Sequence, residues 1–86
     1  MATVLVVEDE NALALLLKYN LEKEGYDVLI EDRGDKVLGV VEQSAPSLIL
    51  LDWMLPKMSG VDVCKLIRSK PDLKNIPIIM LTAKGQ

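Results

Sequence analysis

Histidine and phenylalanine are absent from the 86 residues, and cysteine and tryptophan occur once each. Without histidine there is no imidazole base and no imidazole metal ligand. A single cysteine, Cys64, excludes an internal disulfide and a multi-cysteine zinc site. Long apolar runs are also missing: residues 48–51 and 76–81 fall far short of the ~18 residues that span a bilayer. No basic stretch precedes the first apolar run, and Glu8 and Asp9 follow it at once. Neither a membrane segment nor a secretory signal is expected, so a cytoplasmic location is. Basic residues number 10 against 13 acidic ones, a formal charge of −3. That balance offers no broad positive field to nucleic-acid phosphates. The five glycines, Gly25, Gly34, Gly39, Gly60 and Gly85, are too dispersed for a glycine-rich nucleotide loop. What is present is aliphatic. Half the chain is hydrophobic although only 3% is aromatic, which excludes disorder and suits one small domain.

The patterning alternates between two periods. Residues 4–7 are apolar at every position and rich in valine, as in a strand buried on both faces of a parallel sheet. Residues 11–24 place Leu13, Leu17 and Leu21 four apart, joined by Leu16, which predicts a helix. Asp9 or Asn11 is the expected cap, and Gly25 the expected stop. Tyr26, Val28 and Ile30 alternate in a second strand, and residues 32–35 form a turn. Val37, Val40 and Val41 mark a helix over 36–44, weakened by Gly39 and ended by Pro46. Residues 48–51 form a third strand ending at Asp52, and 53–59 a loop containing Pro56. Val63, Leu66 and Ile67 mark a helix over 60–69 closed by Pro71, and 76–81 a fourth strand. Strand–helix alternation of this kind implies an α/β doubly wound parallel sheet with right-handed crossovers. Ligands of such sheets sit beyond the carboxyl ends of the strands. Polar residues stand at three of those ends: Glu8 with Asp9, Asp52, and Thr82. No helix follows the fourth strand to cover it, so the chain reads as part of a longer one.

If the sheet is parallel, Glu8, Asp9 and Asp52 converge. Like charges brought together raise the free energy of the empty site. A hard divalent cation with retained water relieves this, and Mg²⁺ fits. The alternative is plain: Glu8 and Asp9 cap a helix and Asp52 opens a turn. Cys64 has the pattern of a partly buried structural thiol. The Met54 side chain is expected to pack in the core or loop, and Trp53 to lie beside the metal.

Four segments carry a resemblance that spans the chain: Val4-Leu5-Val6-Val7-Glu8-Asp9-Glu10, Leu48-Ile49-Leu50-Leu51-Asp52-Trp53-Met54-Leu55-Pro56, Ser59-Gly60, and Ile76-Pro77-Ile78-Ile79-Met80-Leu81-Thr82-Ala83. In order and spacing they resemble the receiver domain of bacterial two-component response regulators. The wording around Asp52 and Thr82 is similar to regulators of the phosphate-assimilation type, which carry a winged-helix DNA-binding domain. The resemblance implies a flavodoxin-like receiver over 1–86, strand order 2-1-3-4, lacking a fifth strand and the last helices. It implies Asp52 as phosphoacceptor and a sensor histidine kinase as donor. Mg²⁺ would be held by Glu8, Asp9, Asp52 and the main-chain carbonyl of Met54. Thr82 would sense the phosphoryl group, and the Ala83 N–H would point to it. The chain would catalyse its own phosphorylation without being a metabolic enzyme. DNA would be reached only through an output domain outside these residues. A homodimer or swapped dimer is a further expectation. The family pattern continues with a Lys, then Pro, on the fifth strand, and no residue here takes that place. Two other readings compete. One is a receiver used as a non-phosphorylated interaction module. The other is a haloacid-dehalogenase-like phosphatase, which expects a second Asp where Met54 stands.

Overall fold

The computed structural model describes residues 2–81. The elements run β1 (Thr3–Val7), α1 (Asn11–Lys23), β2 (Asp27–Glu31), a 3₁₀ turn (Gly34–Lys36), α2 (Val37–Ser44), β3 (Leu48–Asp52), α3 (Gly60–Arg68) and β4 (Ile78–Leu81). The four strands form one sheet in the order β2-β1-β3-β4. All pairings are parallel, with Val7 level with Glu31 on one side and Leu51 on the other.

The uniformly apolar runs are the central strands, as their patterning requires. Successive side chains of a strand point to opposite faces, and the core divides accordingly. Leu5, Val7, Ile49 and Leu51 pack with Val37 and Val41 of α2 and Val63 and Ile67 of α3. Val4, Val6, Val28 and Leu50 pack on the other face, against Leu17 and Leu21 of α1. β2 is an edge strand, so its expected alternation buries only Val28, while Leu29 and Ile30 stay exposed. Among the described residues, nothing pairs with the outer side of β4, and no helix is long and apolar enough to cross a membrane.

Several boundaries differ from those the sequence predicts. In α1 the inward stripe is Ala14, Leu17 and Leu21; Leu13 and Leu16 are exposed. A helix with leucine all around can place more than one face on a sheet, and the small Ala14 allows the closest approach. Neither Asp9 nor Asn11 caps this helix. Glu10 occupies that position without a side-chain cap, and its N–H donates instead to Glu8 Oε2 at 3.1 Å. Gly25, with φ of 95°, stops α1 as expected. The 32–35 turn tightens into the 3₁₀ turn, so α2 starts one residue late. β4 starts at Ile78 because Pro77 has no N–H to give the ladder, and the Ile76 N–H goes to the Leu73 carbonyl at 3.1 Å. The Arg68 guanidinium fixes this approach, donating to the carbonyls of Lys74 (2.7 Å) and Ile76 (2.8 Å).

Candidate functional site

The site is built where β1 and β3 end side by side. Their register sets Val7 level with Leu51, so the next residues, Glu8 and Asp52, are neighbours. Carboxylate oxygens of Glu8, Asp9 and Asp52 all lie within 4.8 Å of one another. Glu8 and Asp52 are buried, 5% and 7% exposed, while Asp9 is open to solvent. The sole ion pair among the described residues joins Arg33 and Asp35 and engages none of these three carboxylates. No basic side chain described therefore neutralises it. Burial pushes the Glu8 carboxyl above its ordinary range, and the nearby Asp52 and Asp9 add to the effect; the bond from the Glu10 N–H opposes it. Three convergent oxygens without a cationic partner suit a hard divalent cation, Mg²⁺ included.

The 53–59 loop is held tightly against this cluster. The Met54 N–H donates to Asp52 Oδ1 at 3.3 Å and orients that carboxylate. The Trp53 N–H donates to the Leu81 carbonyl at 3.1 Å, and the Trp53 carbonyl accepts from the Gly60 N–H at 2.9 Å. A Cβ on Gly60 would overlap the Asp52 carbonyl, so only glycine lets α3 start this close to the end of β3. Ser59 caps α3 by accepting from the Asp62 N–H at 3.2 Å. Lys57 stands at φ of 76°, and the Met58 N–H bonds the Pro56 carbonyl at 2.9 Å. That is a γ-turn of the rare, strained kind.

The structure thus brings Glu8, Asp9 and Asp52 together and sets Met54 two residues past Asp52 on the adjoining loop. The Met54 side chain does not pack in core or loop: it is 65% exposed, because the loop turns it outward. Trp53 adjoins Asp52 and is half-exposed. Cys64 is partly buried and packs on the core, as a structural thiol does. Thr82 and Ala83 lie outside the described residues. One contributor was not legible beforehand. Gly34, which sequence places only in a turn, is buried against this loop, and its N–H donates to the Pro56 carbonyl at 3.3 Å. A glycine in a polar turn carries no mark of what it touches.

Similarity to known proteins agrees with this geometry. The phosphate regulon transcriptional regulatory protein PhoB of Rhizobium meliloti is 48% identical over 83 residues, covering 96% of this chain and 37% of that protein. The alkaline phosphatase synthesis transcriptional regulatory protein PhoP of Bacillus subtilis is 47% identical over 83 residues, covering 96% and 34%. The chain therefore spans about a third of the length of the curated relatives it matches. Among solved structures, the N-terminal domain of a response regulator receiver protein from Methanoculleus marisnigri superposes with a TM-score of 0.93 at 32% identity, covering 100% of this chain and 70% of that one. The family described as the response regulator receiver domain matches residues 4–86. With its parallel 2-1-3-4 sheet and acidic cluster at the carboxyl end, the chain belongs to the response regulator receiver domain family of two-component signalling.

Proposed function

We propose that Asp52 is the phosphoacceptor of a two-component response regulator, with a sensor histidine kinase as donor. The observation that carries this is the trio of Glu8, Asp9 and Asp52 oxygens within 4.8 Å, with Asp52 oriented by the Met54 N–H. An Asp52 oxygen attacks phosphorus on the donor imidazole; the P–N bond breaks, an acyl phosphate forms, and the leaving imidazole takes a proton. A carboxylate is a weak nucleophile, so alignment and charge neutralisation carry the rate. Glu8, Asp9, Asp52 and the Met54 carbonyl are the residues we assign to Mg²⁺. Bound there, the ion supplies positive charge against the carboxylates and the transferring phosphoryl oxygens. Thr82 and the Ala83 N–H are assigned, by resemblance, to the arriving phosphoryl group.

We read residues 1–86 as the larger part of a receiver domain that works in the cytoplasm as a signalling switch rather than a metabolic enzyme. The two regulators above are named transcriptional regulatory proteins, which supports DNA binding through an output domain elsewhere in the full protein. Phosphorylation with a small acyl phosphate donor and Mg²⁺ tests the assignment. The expected product is one hydroxylamine-labile phosphoryl group per chain, absent from Asp52→Asn. Retained stoichiometric labelling in Asp52→Asn would refute it.

A further inference from the structure

Gly34 belongs to the turn between β2 and α2, remote in sequence from the acidic cluster, yet it is buried. Its backbone does not require glycine: among the described glycines only Gly25 has a positive φ. What excludes a side chain is the 53–59 loop. A Cβ on Gly34 would overlap the Met58 carbonyl oxygen and lie 3.0 Å from the Met58 Cβ. The Gly34 N–H meanwhile donates to the Pro56 carbonyl at 3.3 Å. Gly34 therefore touches both neighbours of Lys57, the one residue of the 53–59 loop held at positive φ, 76°. The same short loop carries Met54, whose N–H orients Asp52.

We propose that Gly34 is a positioning residue for the acidic site: its bare Cα lets the β2–α2 turn brace the strained loop and hold Met54 in register with Asp52. This rests on the reading of Glu8, Asp9 and Asp52 as a Mg²⁺ site. A side chain at 34 displaces Met58, and the displacement passes along the loop to Met54. The metal shell then loses alignment although none of its ligands has changed.

Mg²⁺ titration followed by Trp53 fluorescence, on chains verified as folded by circular dichroism, is the test. Gly34→Ala should weaken Mg²⁺ binding roughly 10-fold, the usual range for loss of outer-shell support, and should alter Trp53 emission before metal is added. Gly39→Ala, where a Cβ meets nothing within 4 Å, should bind as wild type does. In wild type, the Gly34 amide resonance should shift on saturation with Mg²⁺. Equal affinity in folded Gly34→Ala overturns the proposal. If that variant does not fold, a wild-type Gly34 amide unmoved by Mg²⁺ overturns it instead. A wild type that gives no response to Mg²⁺ removes the metal site itself and this inference with it. A responsive wild type matched by Gly34→Ala removes only the inference.

Discussion

Glu8 is buried next to two other carboxylates, and this sets a pH dependence. In the metal-free chain its carboxyl is raised above its ordinary value of 4.5, chiefly by burial. Such a group holds its proton more tightly folded than unfolded, so protonation favours folding. Its penalty is absent below 4.5, grows as pH rises through the raised folded value, and is complete above that. Asp35, lowered by its bond from Arg33, works in the opposite sense and only at lower pH. Urea denaturation should therefore show the metal-free wild type losing stability relative to Glu8→Gln as pH rises from 4.5 toward neutrality. Mg²⁺ should narrow that gap. A difference between the two proteins that stays constant with pH would show that Glu8 keeps an ordinary pKa. The cluster was legible as three acidic residues at two strand ends. Which of them is buried was not, since that depends on how α1 and the 53–59 loop close over the end of the sheet.

The helices differ in how much local sequence supports them. Gly39 lies exposed in α2 with open space where a Cβ would go. Gly39→Ala should stabilise the chain by about 0.5–1 kcal/mol, because alanine loses less backbone entropy in a helix. In α3, Ser59→Ala removes the bond from the Asp62 N–H and should cost ~1 kcal/mol. Denaturant midpoints measure both; a neutral Ser59→Ala would show that solvent replaces the cap. The glycines at 34 and 60 behave differently from Gly39. Added side chains there meet the backbone of the site loop rather than open space. Sequence alone marks Gly39 as a weak point of its helix and Gly34 only as a turn residue, whereas Gly60, just past the loop, already reads as a residue that allows a close helix approach.

At the scale of the molecule the two faces of the sheet are unequally covered. Among the described residues, α2 and α3 enclose one face, whereas α1 alone lies on the other. Leu15, Leu16 and Tyr19 of α1 and Ile79 of β4 are each more than half exposed. β4 also has an outer edge unpaired among the described residues, and such edges template pairing between chains. We expect residues 1–86 in isolation to associate as concentration rises in sedimentation velocity, and Ile79→Lys to shift the equilibrium toward monomer by placing charge on that edge. A chain that sediments as a monomer throughout would show that the four-stranded unit is self-sufficient.

The alternation of uniformly apolar runs with helical stripes determined the α/β parallel class from sequence alone. Residues 4–7 and 48–51 announce buried strands because local composition records burial on both faces. Strand ends were equally legible, since Glu8 and Asp52 interrupt the runs, and resemblance supplied the 2-1-3-4 order and the roles proposed for the site residues. The tertiary structure decided what depends on residues distant in the chain. It chose Ala14 over Leu13 for the inner side of α1, because a leucine-rich helix has several apolar sides and only the sheet selects one. It delayed β4 to Ile78, because Pro77 lacks a donor and Arg68 anchors the preceding turn. And it gave Gly34 its place against Met58, 24 positions away in the chain, a proximity that no local pattern encodes.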